Sequence, residues 1–173
     1  MKYIGLFSRV GYAMGDASNN DLLIKNRYDL MHFRNTTHAR IVIMGRKTVE
    51  SLPKKLDDRF VICLSRDECY KTDKADAVLM SVDDVVFLCE KLKETWGIKE
   101  AYVCGGAEIL SLFSNKIDEM IVTEFHAPMS DFSHVKEFIL IPTNIRSYLA
   151  LWNKVFVKRD HEFDIVHYFR LLE

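Results

Sequence analysis

Short apolar runs alternate with segments of helical period along the first 125 residues, and this alternation constrains the fold most strongly. Strands are predicted for YIGLF at 3–7, RIVIM at 40–44, RFVICLS at 59–65, AVLM at 77–80 and EAYVCGG at 100–106. Between them, apolar residues fall on one helical face in segments 27–37, 47–52, 82–96 and 107–114. Nearly continuous apolar strands that alternate with helices are typical of a parallel sheet covered on both faces.

The last third of the chain changes character. DEMIVTEF at 118–125, WNKVFVKRD at 152–160 and DIVHYFRLL at 164–172 are strand-like, whereas residues 127–150 have no clear pattern. The final two segments alternate apolar and polar residues, so they can add to a parallel core as antiparallel edge strands. We therefore predict an α/β fold: a mainly parallel central sheet of about eight strands, antiparallel C-terminal strands and helices on both faces. At this length, residues 1–173 are expected to form a single domain.

Composition narrows the classes of partner. With 24 Lys and Arg against 25 Asp and Glu, the net charge of -1 gives no bulk electrostatic reason to bind nucleic acid or an anionic membrane. The four cysteines lack close C-x-x-C pairing and the histidines lack metal-ligand spacing, so no metal site is expected. The first residues carry no cleavage signal and no window is apolar enough to span a membrane, which makes the cytoplasm the expected location.

Glycine, cationic and hydroxyl residues follow three of the predicted strands. In open parallel sheets, ligands bind beyond the carboxyl ends of strands, where backbone N–H groups suit phosphate. The residues in question are Gly45, Arg46, Lys47 and Thr48; Ser65 and Arg66; and Gly105 and Gly106. Taken singly, each feature is more often a turn or a solvated surface, and none forms a Walker A or G-x-G-x-x-G motif. Together they favour a ligand with several phosphates.

Four segments in fixed order resemble dihydrofolate reductases. They are IVIMGRKTVESLP at 41–53, RFVICLSRD at 59–67, AYVCGGAEILSLF at 101–113 and IDEMIVTEF at 117–125. The resemblance covers most of residues 1–126 and extends loosely to the strands at the end of the chain. It implies the fold predicted above and reduction of 7,8-dihydrofolate to 5,6,7,8-tetrahydrofolate, with hydride transfer to pterin C6 and protonation of N5.

The resemblance also implies a substrate site. The family carries an acidic residue on its first helix, and Asp29 takes that place here, with Thr123 as its hydrogen-bonding companion. From the residues alone, the favoured interpretation of Asp29 is a helix-start residue in a capping or dipole interaction, and only the resemblance favours a catalytic role. Arg59 would pair with the α-carboxylate of the substrate. The implied wall around the pterin and aminobenzoyl groups consists of Leu30, Phe33, Leu52, Leu56 and Cys104.

NADPH is the cofactor that the resemblance implies, because Arg46 and Arg66 suit an additional 2′-phosphate. The family holds its Gly-Gly peptide bond in cis. The cofactor contacts carried over from the family are Gly45, Arg46, Lys47, Thr48, Leu64, Ser65, Arg66, Gly105, Gly106, Ala107 and Ile109.

The loop before Asp29 departs from the family pattern. Most members carry a Pro-Trp there, whereas GDASNNDLLIKNRYD at 15–29 has Ile24 at the Trp position and no proline. Two alternatives therefore stay open: an NADPH-dependent pyrimidine reductase of the riboflavin-pathway type with the same fold, and a non-catalytic nucleotide-binding or structural relative. A monomer is expected. The alternative is a dimer formed through the exposed edge of the last strand-like segment, 161–172.

Overall fold

The computed structural model describes residues 1–170 as one twisted sheet with five helices and a short 3₁₀ helix, Met129–Phe132. The strands are β1 (Lys2–Val10), β2 (Ala13–Asp16), β3 (Asp21–Leu22), β4 (Ile41–Gly45), β5 (Phe60–Leu64), β6 (Ala77–Leu79), β7 (Glu100–Gly105), β8 (Ile117–Phe125), β9 (Phe138–Leu140), β10 (Asn153–Arg159) and β11 (Phe163–Phe169). The helices are α1 (Arg27–Thr37), α2 (Arg46–Ser51), α3 (Val82–Trp96), α4 (Ala107–Leu112) and α5 (Thr143–Leu151). None of the helices in residues 1–170 has the length and apolar character of a membrane span.

The main path through the sheet has eight strands in the order β10-β11-β8-β1-β7-β4-β5-β6. The six strands from β8 to β6 are mutually parallel, and β11 and β10 continue the sheet in antiparallel fashion. The predicted α/β architecture is confirmed. The end of the last predicted strand, residues 171–172, lies outside the described residues.

Successive side chains of the central strands enter two separate cores, as the pleat of a strand requires. Ile43 and Val103 pack on one face with Val85 and Cys89 of α3, and α4 and α5 contribute to the same cluster. Helices α1 and α2 cover the opposite face, where buried residues of β4 and β5 meet residues of both helices. Two-sided burial explains why these strands are almost wholly apolar.

Sequence patterns missed the small strands β2, β3 and β9 and the helix α5. β2 pairs with β1, β3 and β9, so the segment before α1 is a β-hairpin held against residues far along the chain. Backbone bonds extend this pairing: the Ala17 N–H donates to the Glu137 carbonyl at 2.9 Å, and the Ile141 N–H donates to the Tyr12 carbonyl at 2.9 Å.

The exposed edge beside the C-terminal strands is β10. Segment 161–172 was predicted to be the edge strand. It forms β11, which lies between β8 and β10, so this prediction was wrong. Nearly every residue of β10 is exposed, and its register shifts between Phe156 and Lys158. Lys154, Lys158 and Arg159 line this edge. Cations and a register irregularity are features that protect an edge strand from pairing with another chain.

Candidate active site

Asp29 lies in the first turn of α1 and turns its carboxyl towards the sheet. Asn26 begins the helix, and its side-chain oxygen accepts hydrogen bonds from the N–H groups of Tyr28 and Asp29. Asp29 is only 8% exposed, and Thr123, which faces it from β8, is 2% exposed. The structure therefore brings together the two polar residues that the resemblance paired.

The environment of Asp29 changes its acidity. Burial raises the pKa of the Asp29 carboxyl above its ordinary value, and a hydrogen bond from the Thr123 side chain partly opposes the rise. A buried carboxyl with one polar neighbour has unused acceptor capacity. A ligand that presents paired N–H donors would satisfy it and would stabilise the ionised form.

Apolar side chains surround this polar pair. Phe33 of α1 and Cys104 of β7 each pack against the two clusters on this face, while Leu52 and Leu56 pack against the cluster that contains Val49. Burial raises the pKa of the Cys104 thiol, so the thiol stays neutral and acts as an apolar group. Leu30 is 48% exposed and belongs to none of the buried clusters of the described residues, so its place in this wall stays a prediction.

Arg59 is a partly buried guanidinium with incomplete partners. Its Nη1 donates a long hydrogen bond of 3.4 Å to the Thr37 hydroxyl, and its buried Nε has no hydrogen-bond partner. Burial, followed by the nearby Arg34 guanidinium, lowers the pKa of Arg59 below its ordinary value. An unpaired buried donor beside a second cation is suited to receive a carboxylate in a bidentate pair.

Two strand ends meet closely at Gly45 and the Gly105–Gly106 pair. A Cβ built on Gly45 would lie 2.9 Å from Ile109 Cγ1 and 4.0 Å from the Gly106 nitrogen, and one built on Gly106 would lie 3.5 Å from the Thr48 hydroxyl. Gly45 and Gly106 begin α2 and α4 without a side-chain cap, and the Gly105–Gly106 peptide bond is cis. A narrow, uncapped backbone cradle therefore lies at the carboxyl ends of β4 and β7. The small side chain of Ala107 follows it in α4.

The cations near this cradle differ in their availability. Arg46 Nε lies 2.8 Å from Glu50 and Nη1 2.8 Å from Asp67, and its guanidinium stacks on Tyr70. Lys47 is exposed, and Arg66 is 89% exposed with only a 3.7 Å approach to Glu108. Ser65 and Leu64 are buried at the end of β5, and the Ser65 hydroxyl accepts from the Asp67 N–H. Arg66 and Lys47 are thus freer than Arg46 to meet an anion.

Two cavities flank this face without containing the Asp29–Thr123 pair. The larger, about 720 Å³, is lined by Arg59, Phe60 and Trp96 at the amino ends of the strands. The smaller, about 340 Å³, lies between Asn26, the end of β8 and the β10–β11 turn. In residues 1–170, no three His, Cys, Asp or Glu side chains are grouped so that they could hold a metal ion.

Asn26 and Glu162 contact this site but were not among its predicted residues. An Asn directly before a helical pattern is a recognised N-cap signal, so Asn26 was detectable from sequence. Glu162 carries no such signal, because it lies 136 positions away and reaches Asn26 only through the fold.

The family model described as dihydrofolate reductase matches residues 13–144. The chain is 31% identical over 106 residues to the dihydrofolate reductase of Mycoplasma genitalium, covering 61% of this chain and 66% of that protein. It is 36% identical over 97 residues to that of Lactococcus lactis, covering 55% of each chain. Matched regions thus span less than two thirds of these relatives.

A solved structure shares the fold over almost the whole chain. It is that of dihydrofolate reductase from Enterococcus faecalis complexed with NADP(H) and RAB-propyl. The two structures align with a TM-score of 0.78, cover 98% of this chain and 96% of the other, and share 18% identity.

Proposed function

The chain belongs to the dihydrofolate reductase family, and from this premise we propose that it catalyses the NADPH-dependent reduction of 7,8-dihydrofolate to 5,6,7,8-tetrahydrofolate. One observation carries the proposal: a buried carboxyl, Asp29, faces Thr123 inside an apolar wall, on the same face as the partly satisfied guanidinium of Arg59. A pterin needs a carboxylate acceptor for its ring donors, and its glutamate tail needs a cation.

The proposed roles follow from this arrangement. Asp29 accepts hydrogen bonds from pterin N3 and the 2-amino group, and Thr123 holds the carboxyl in place. Phe33, Leu52 and Leu56 exclude water from the rings, with Cys104 as part of the same wall. Arg59 pairs with the α-carboxylate through its free donors. NADPH, when bound, supplies the hydride. We propose that water brings the proton to N5, because Asp29 is committed to the opposite edge of the pterin.

The residues at the strand ends fit the cofactor. Ile109 leaves no room for a side chain at Gly45, and with glycine at both Gly45 and Gly106 the backbone N–H groups can approach a pyrophosphate directly. Lys47 and Thr48 add a charge and a hydroxyl beside it. Arg66 is the best placed cation for a 2′-phosphate, because it is nearly free. To contact a cofactor phosphate, Arg46 would give up its two exposed ion pairs with Glu50 and Asp67, which contribute little to stability in water.

The experiment measures the fall in absorbance at 340 nm that depends on both NADPH and dihydrofolate, with Asp29→Asn beside the unchanged protein. Loss of the carboxylate is expected to lower kcat/KM at least about 100-fold while NADPH still binds. Asp83→Asn is the matched control, because Asp83 is also acidic and in the first turn of a helix, α3, but is exposed on the other face.

Other outcomes separate the alternatives. NADPH-dependent reduction of a riboflavin-pathway pyrimidine without reduction of dihydrofolate would favour the pyrimidine reductase. NADPH binding without any turnover would favour a non-catalytic relative. Equal activity of Asp29→Asn and Asp83→Asn would contradict the role proposed for Asp29.

We also propose that the protein acts as a monomer in the cytoplasm. All four cysteines are free, and Cys63 and Cys89 are buried as small apolar residues, which suits a reducing compartment. The cationic, irregular edge of β10 supports the monomer. Sedimentation equilibrium of the purified protein tests it, and a dimer at micromolar concentration would contradict it.

A further inference from the structure

The first turn of α1 depends on one side chain. The Asn26 Oδ1 atom accepts from the Tyr28 N–H at 2.8 Å and from the Asp29 N–H at 3.2 Å, and the Asn26 carbonyl accepts from the Leu30 N–H at 3.0 Å. Three consecutive N–H groups around Asp29 therefore end on Asn26. Without this cap, the Asp29 carboxyl could turn to the unsatisfied helix donors, because an acidic group at this third helical position can reach back to the start of the helix.

The other end of the Asn26 amide points away from the helix. Its Nδ2 donates to Glu162 Oε2 at 3.3 Å, in the turn between β10 and β11. This contact determines which end of the amide faces the helix, since Glu162 can only accept when it is ionised. The Glu162 carbonyl in turn accepts from the His126 N–H at 2.9 Å, just beyond the end of β8.

These contacts join the two elements that carry the candidate acid and its partner. α1 bears Asp29, β8 bears Thr123, and Glu162 bonds to both elements at their ends, around the smaller cavity. We propose that Asn26 and Glu162 are positioning residues, which hold the Asp29 carboxyl towards Thr123 rather than towards the N–H groups in the first turn of its own helix. This inference rests on the proposed reductase function only for its kinetic readout.

The experiment compares Asn26→Ala, Asn26→Asp, Glu162→Ala and Glu162→Gln. Two readouts are used: the pKa of the Asp29 carboxyl, measured by carbon-detected NMR titration of the free protein, and the pH profile of kcat with dihydrofolate and NADPH. Ser81→Ala is the matched control, because the Ser81 hydroxyl caps α3 on the other face by accepting from the Asp84 N–H at 3.1 Å.

Asn26→Ala is expected to lower the Asp29 pKa, as the carboxylate turns to the freed helix donors, and to lower kcat about tenfold through misorientation. Asn26→Asp keeps the cap but places a second carboxylate within one turn, so the Asp29 pKa and the inflection of the pH profile both rise. Glu162→Ala is expected to lower kcat about threefold, and Glu162→Gln, which keeps an acceptor, to restore it within about twofold.

The inference is overturned if Asn26→Ala changes the Asp29 pKa no more than Ser81→Ala does, or if Asn26→Asp leaves that pKa unchanged. Absence of turnover in the unchanged protein would instead contradict the proposed reductase function, and the NMR titration would still decide the positioning role.

Discussion

Replacing Gly45 with alanine adds one methyl group at the point where the two strand-end loops meet. The backbone of Gly45, with φ of -78° and ψ of 160°, is ordinary extended conformation, so alanine adopts it without strain. The new Cβ would lie 2.9 Å from Ile109 Cγ1 and 3.3 Å from its Cδ1. The cost is therefore one of space alone.

The distances to Ile109 determine how much Gly45→Ala destabilises the fold. An ordinary contact between carbon atoms is about 3.5–4.0 Å, so Ile109 must retreat by roughly 0.6–1.1 Å. Ile109 is only 6% exposed and packs in the larger core; rotation about χ2 does not move Cγ1, and χ1 of a β-branched residue in a helix is restricted, so the clash is costly to relieve. Overpacking of this kind costs about 1–3 kcal/mol. The shift also moves α4 away from α2, and NADPH affinity is expected to fall about tenfold or more.

Urea unfolding and fluorescence titration with NADPH measure both effects. Ile109→Ala removes both clashing atoms, so the double variant should be more stable than the sum of the two single changes predicts, by about 1 kcal/mol or more. Gly97→Ala is the matched glycine control, because the φ of Gly97 is 69° and a Cβ there would meet nothing within 4 Å. This variant should lower the free energy of unfolding by about 1 kcal/mol without changing NADPH affinity. Strict additivity with Ile109→Ala, or a stability loss below about 0.5 kcal/mol, would refute the steric account.

Two further predictions concern charge. Because the folded-state pKa of Asp29 is raised, its ionisation on going from acid to neutral pH destabilises the fold; Asp29→Asn should therefore be more stable than the unchanged protein at pH 7, with the difference shrinking towards pH 4. Urea midpoints across pH check this, and a constant difference would contradict it. Arg66→Ala should lower NADPH affinity about tenfold and leave NADH affinity unchanged, because only the former has a 2′-phosphate; equal losses for both cofactors, measured by titration, would exclude the proposed role.

Long elements with a clear period were predictable from the sequence. α1 and α3 were predicted at 27–37 and 82–96, the bounds that the structure shows, because each places apolar residues on one helical stripe. The predicted cis bond at Gly105–Gly106 came from family resemblance and is present. Nothing in the local pattern predicts it.

Sequence patterns did not predict the short elements, because the stability of these elements comes from distant partners. β9 has three residues and β2 has four, and each is held by pairing with the other across more than 120 positions. The sequence did not predict that β10, and not β11, lies at the edge of the sheet, for a similar reason. Alternation shows that a strand has two unlike faces, but the neighbours of that strand depend on which partners the fold supplies.

The candidate site divides in the same way. The sequence alone indicates buried apolar strands, polar residues at their carboxyl ends and an acid at the start of the first helix, because periodicity and residue type are local properties. The fold is needed to show that Asp29 is buried against Thr123, that Arg59 keeps an unpaired buried donor while Arg46 is engaged, and that Glu162 reaches Asn26. Burial, acidity and hydrogen-bond partners arise from residues distant in the chain, and only folding brings these residues together.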